Sequence, residues 1–272
     1  MTLERTNIML SKQGFISTVF TFIALVFLSA TSVSSQIRLN EIEVDTPSGI
    51  SEPCEYIEVL GRPGSVVPAN TFFLSIDAES GNYGMVDYIA NLGDLKFGSN
   101  GTITIITSSD VCAGRNYSSE TKIVKSSSFA MGFGAETFLL VTSTHPKQLF
   151  EGQDLDANDD GKIDPSFGIT PIDGIAWVVD PAFAKVYGGA PIIFRGDNEL
   201  PDAATRFPGD LAAFSASSWY YGEVAPPDNS TQYAAPKSPN FPGDGVLTPG
   251  APNKGTASRT QSLHRAMTRK RP

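Results

Sequence analysis

Histidine is nearly missing from this chain. Of 272 residues only His145, beside a proline in "STHPK", and His264, in the basic end, are histidines. A histidine-based zinc site therefore lacks ligands, and a serine nucleophile would have to use His145 with no local motif to support it. No G-x-S-x-G elbow, H-E-x-x-H helix or P-loop is present, and the single Gly161-Lys162 pair sits among acids. Cysteine is almost as scarce. Cys54 and Cys112 are too few for a disulfide-built scaffold or a thiolate zinc site. They stand either as one disulfide, in an oxidising compartment, or as two buried thiols. Helical periodicity is rare too: "PDAATRFPGDLAAF" (201–214) holds at most a short helix, interrupted at Pro208-Gly209. Basic charge is sparse in the body, where residues 36–250 carry a net charge of −16. Such a surface repels phosphate and excludes direct nucleic-acid binding as the expected role of the body, while it suits cations and cationic partners.

One long apolar run exists. "FISTVFTFIALVFL" (15–28) follows Arg5 and Lys12, and Val33 and Ser35 suit the −3 and −1 positions of a cleavage site. It is shorter than the ~20 residues of a spanning helix, so residues 1–35 are expected to be an export signal. The mature chain then has no transmembrane span and is secreted or held at the cell surface. Asn100, Asn116 and Asn229 head glycan-acceptor triplets, relevant in a eukaryotic secretory route. Residues 254–272 are basic, with Lys254, Arg259, Arg265, Arg269, Lys270 and Arg271, and are expected to form a disordered tail.

What the chain does have is short apolar stretches at period two, broken by turn residues. They are 37–44, 55–61, 71–78, 101–108, 136–143, 172–180 and 191–196. In "IRLNEIEV" the phase changes at Asn40-Glu41, as a β-bulge requires. With 25 Gly and 19 Pro, the pattern predicts an all-β chain, an antiparallel β-sandwich over residues 36–253. Glu41, Glu55 and Glu58 lie on the first two strands. If those strands pair, two of these carboxylates approach within ~5–10 Å, a glycosidase-like spacing. A secreted hydrolase is thus the alternative to a non-catalytic module. Strand carboxylates bonded to backbone are the simpler reading.

Residues 154–165, "DLDANDDGKIDP", concentrate like charge: six acids lie between Glu151 and Asp164, against Lys162 alone. The spacing matches a calcium loop, with Asp156, Asn158 and Asp160 at positions 1, 3 and 5. Gly161 takes the sharp turn, Lys162 offers its carbonyl at position 7, and Asp164 stands at position 9. Position 12 is Phe167 rather than a bidentate Glu, and Pro165 with the "FGITP" run after it does not make an exit helix. The expectation is a stand-alone structural Ca²⁺ loop between two strands, with Asp154 or Asp173 completing the shell. The plain counterpart is a hydrated acidic loop.

"RLNEIEVD" (38–45), "CEYIEVLG" (54–61) and "LTPGAPN" (247–253) together resemble lamin-tail domains. Asn40, Glu41 and Ile42 match the opening strand, Glu55, Tyr56, Ile57 and Glu58 the next, and the Thr-Pro-Gly-x-Pro-Asn close is also similar. The stretch from "ETFLLV" through the acidic loop to "DGIAWVVD", then Arg195 or Arg206 and Trp219, resembles modules near the start of large secreted nuclease or phosphatase-like proteins. The resemblance implies an immunoglobulin-like β-sandwich. In those larger proteins catalysis lies in a separate domain, so what it implies here is a non-catalytic extracellular module or an accessory subunit of such an enzyme. Its partner would be an extracellular protein, a glycan or a mineral surface.

Overall fold

The structure is a computed structural model. It describes residues 36–45, 54–108, 114–129, 134–178, 180–193, 200–227 and 229–256, with Cys112 and Met131 besides. The export-signal segment 1–35, Arg195 and all but the first three residues of the basic tail 254–272 lie outside the described residues. No helix among the described residues is long and apolar enough to cross a membrane.

Among the described residues the regular structure is almost all strand, with helix limited to short 3-10 turns. Among the described residues there are twelve strands: β1 (Arg38–Glu43), β2 (Tyr56–Leu60), β3 (Thr71–Asp77), β4 (Val86–Asn91), β5 (Thr102–Thr107), β6 (Lys122–Ser126), β7 (Glu136–Ser143), β8 (Ile169–Val178), β9 (Ala190–Ile193), β10 (Ala203–Arg206), β11 (Trp219–Val224) and β12 (Tyr233–Lys237). They form one sheet of order β12-β11-β10-β1-β2-β5-β6 and a second of order β4-β3-β7-β8-β9. The two sheets face each other across a shared core. Leu39, Ile42, Ile57, Val59, Ile103 and Ile105 from the first meet Phe73, Phe138, Leu140, Ile175 and Trp177 from the second.

One expectation needs correction. The sheets are mixed rather than purely antiparallel, because β6 runs parallel to β5 and β9 parallel to β8. Parallel neighbours need a long crossover, and the chain between β5 and β6 and between β8 and β9 is long enough for one. The stretch 201–214, which had room for at most a short helix, contributes strand β10. Ala203 and Ala204 have no side-chain bulk to register a period of two, so pairing with β1 and β11 decides their state. The bulge in β1 is present: its register with β2 shifts between Leu39 and Glu41.

Each sheet is also covered on its outer side, which explains why β3 and β7 are buried at nearly every position and carry consecutive apolar residues at their centres. Phe73, Phe138 and Leu140 point into the shared core, while Phe72, Leu74, Ile76, Leu139 and Val141 point outward. The 144–168 connection closes over that outer face with Leu149 and Leu155, and Ile163 and Phe167 pack beside them. Its 152–155 stretch also bonds the start of β4 and the residues before it, from Gly152 N to Val86 O and from Leu155 N to Gly84 O, so this end of the sheet edge is covered. On the other sheet, Phe207, Tyr220, Val224, Tyr233 and Leu247 form a third cluster, with Phe241 against it.

Candidate metal loop and strand carboxylates

The buried glutamates come first, because they carry the alternative catalytic reading. Glu41 and Glu58 are Cα partners across β1 and β2. Both are 0% exposed, and Glu55 is buried as well. Glu41 accepts from the Tyr56 hydroxyl, from Thr205 Oγ1 at 2.8 Å, from Thr248 N at 2.7 Å and from the Thr248 hydroxyl. Glu58 accepts from Asn40 Nδ2 at 2.6 Å, from Thr104 Oγ1 at 2.9 Å and from Gly250 N at 2.6 Å. Asn253 donates to Asn40 O and to Arg206 O, and accepts from Asn40 Nδ2. The segment 247–254 is thus a strap laid over the sheet and held by carboxylates beneath it. Gly250 sits at φ 71°, and a Cβ there would meet Thr121 Cγ2 at 2.8 Å, so only glycine lets the strap lie this close. A general acid or base must reach its substrate. Glu41 and Glu58 are sealed from solvent and accept hydrogen bonds from the strands and the strap.

Glu43 is likewise 0% exposed and forms an ion pair with Arg115. The Arg115 guanidinium also donates to Cys54 O and Ser230 O and lies 5.3 Å from the centre of the Tyr56 ring. Cys54 and Cys112 are joined as a disulfide. Two different links, one covalent and one ionic, therefore hold the β5–β6 crossover against β1 and β2. Burial pushes Glu41 up to about 7 and Glu58 up to about 8, against the pull of their hydrogen bonds. Glu43 is kept charged by Arg115.

A second buried ion pair ties the sheets together. Arg206 on β10 meets Asp173 on β8, and its ring-like guanidinium lies 4.5 Å over Trp219. Asp173 also accepts from Leu39 N, and Arg206 Nε donates to Leu39 O. Leu39 lies beyond the β1–β10 ladder, which begins at Glu41, so this pair satisfies the backbone groups the bulge leaves over. Asp173 is therefore committed to the inter-sheet contact and is not available to the acidic loop.

The acidic loop is wound around one carboxylate. Asp156 is fully buried; its Oδ1 accepts from Asp160 N at 2.9 Å, and its Oδ2 from Gly161 N at 2.8 Å and the Tyr187 hydroxyl at 3.0 Å. Asp154 Oδ1 caps Asp156 N, Asn158 Oδ1 takes a long bond from Asp160 N, and Asp164 Oδ2 takes one from Ala157 N. Exposed Asp160 pairs with Lys162, which lowers its pKa. Gly161 turns at φ 81°, as position 6 demands, and Gly84 approaches so closely that a Cβ would meet Asp156 Cβ at 2.7 Å. No α-helix follows: Pro165–Phe167 make one 3-10 turn before β8. Among the described residues no three His, Cys, Asp or Glu side chains converge as a preformed metal cage. The acceptors are turned on the loop's own N–H groups. The donor set, all oxygen at alternate positions around a glycine turn, is nonetheless that of a hard cation.

Sequence reasoning missed two members of this site. Tyr187 and Lys185 come from the β8–β9 crossover, more than twenty residues along the chain. Lys185 Nζ donates to Asp159 O and lies 3.9 Å over the Tyr83 ring. No spacing rule links them to the loop. Of the glycan-acceptor residues, Asn116 is exposed and Asn229 partly so, while Asn100 donates its amide to Gly250 O at 3.0 Å and accepts from Thr102 N. His145 is an exposed turn residue whose backbone N–H bonds Ser143 Oγ.

Comparison of the chain with protein-family models, with curated proteins and with solved structures returns no match.

Proposed function

We propose that the protein is a secreted or surface-associated, non-catalytic binding or scaffolding module, an immunoglobulin-like sandwich of the lamin-tail type stabilised by calcium. The observation that carries this reading is the strap. The three stretches that resemble lamin-tail domains, around Asn40, Glu58 and Asn253, lie far apart in sequence yet meet in one hydrogen-bonded cluster. Residues that look like a catalytic carboxylate pair are used to close the fold, so the module's work falls to its surface. The Cys54–Cys112 disulfide favours an oxidising compartment.

Calcium would be held by Asp156, Asn158, Asp160, the Lys162 carbonyl and Asp164, with water filling a shell of six to eight oxygens. The metal would stabilise the 144–168 cover rather than act in a reaction. Extracellular loops of this kind bind at ~10⁻⁴–10⁻³ M.

Calorimetric titration of the secreted chain with CaCl₂, beside Asp156→Ala, tests the metal. Heat and a raised melting temperature are expected for the native chain alone, and their absence from it removes calcium from the proposal. The partner is sought in a binding screen against extracellular proteins, glycans and mineral surfaces, with and without calcium. Hydrolase activity lost on Glu58→Gln would overturn the non-catalytic reading.

A further inference from the structure

The acidic loop already has a cation on it. Lys185 is placed by its backbone, whose N–H bonds Ala78 O at 3.0 Å, and its stem runs past Gly161, where a Cβ would lie 3.6 Å from Lys185 Cδ. The ammonium ends between Asp159 O and the face of Tyr83. Two residues on, the Tyr187 hydroxyl bonds Asp156, the carboxylate around which the loop is wound. Lys162, the loop's own lysine, is mostly exposed and pairs with Asp160. The geometry points to Lys185 as a built-in counter-cation that competes with calcium and sets the affinity of the loop. This inference rests on the calcium reading above and assigns that site its regulator.

The physical reason is direct. Carboxylates at Asp154, Asp156, Asp159, Asp160 and Asp164 repel one another unless positive charge stands near them. An ammonium supplies one unit of charge and a divalent ion two, and each raises the cost of bringing in the other. With the metal absent, Lys185 keeps the loop folded. When the metal enters, the ammonium gains less from staying. Binding and position are then linked in both directions. The linkage extends to the 180–187 segment, because Lys185 and Tyr187 belong to it and the Tyr83 hydroxyl bonds Phe183 O.

The test is calorimetric titration of the full secreted chain with CaCl₂ at fixed salt, comparing the native protein with Lys185→Met and Lys185→Arg. Lys185→Met keeps the stem and loses the charge. It is expected to bind calcium roughly threefold to tenfold more tightly and to melt lower than the native chain without metal. Lys185→Arg is expected to keep the native affinity. An affinity in Lys185→Met equal to or weaker than the native value, in a variant that melts cooperatively, overturns the inference and leaves the calcium site standing. Absence of binding heat in every variant removes both. Heat in Lys185→Met but not in the native chain supports the inference in its strongest form.

Discussion

Two regions of this molecule gather acidic side chains, and they manage the charge in opposite ways. Under the strap, Glu41, Glu43 and Glu58 are withdrawn from water and met by hydroxyls, amides and one buried guanidinium. In the acidic loop, Asp159 and Asp160 stay at the surface, and only Asp156 is sealed. Backbone N–H groups and the Lys162 ammonium answer the charge there, and the Lys185 ammonium sits on the loop's backbone at Asp159 O. Desolvation dominates the first region and solvent screening the second. The same chemical group is therefore expected to be structural in one and cation-binding in the other.

The sharpest way to break this contrast is to remove the guanidinium under the strap. Arg115→Met leaves Glu43 buried without its ion-pair partner, and loss of one member of a buried pair costs about 3–5 kcal/mol. Chemical denaturation should show that loss with the disulfide intact. A loss below about 1 kcal/mol would mean that the site behaves like a surface pair.

A second, smaller effect is in pH. The folded-state pKa values of Glu41 and Glu58, which have no cationic partner among the described residues, are raised from 4.5 to about 7 and 8, so the folded state holds protons that the unfolded chain has released, whereas Glu43 is kept charged by Arg115. The contribution of Glu41 and Glu58 to stability is full below 4.5, and it is lost as pH rises through 7 to 8. The melting temperature should fall between mildly acidic and mildly alkaline buffer. Glu58→Gln should flatten that slope while costing about 1–2 kcal/mol in acid, since an amide cannot accept every bond the carboxyl takes. A slope unchanged in this variant would separate the pH response from the strap.

The smallest effect belongs to the loop. Asp160→Asn, at an exposed position, should leave the melting temperature almost unchanged in the absence of calcium. Added salt should erase even that difference, while leaving the Arg115→Met loss nearly intact. Salt sensitivity of equal size in both variants would remove the distinction between the two regions.

Much of the architecture was legible from period and turn residues. β1, β2, β3, β5, β7 and β8 lie where the alternation places them, as does the bulge at Leu39–Glu41. Five strands, β4, β6, β10, β11 and β12, escaped notice, and three of them show why. β10 is "AATR", β12 contains Pro236, and β6 is two lysines around Ile123-Val124. None carries enough apolar contrast to mark a face, so neighbouring strands define them. The sharp turn at Gly161 was readable because it is set within six residues. Lys185 and Tyr187 were not, because they arrive through space.

The sequence by itself determined the all-β character, the separation of body and tail charge, and the turn chemistry around Gly161, since each depends on residues close together in the chain. It left open whether Cys54 and Cys112 pair, and which acids are buried. Tertiary structure decided those. Burial is a property of what lies above a side chain, and the covers here, 144–168 over one sheet and 247–254 over the other, are brought in by crossovers and long returns that no local pattern encodes. Glu41 and Asp160 are both plain carboxylates in the sequence. Only the strap makes one a buried clasp, and only its absence leaves the other open to a cation.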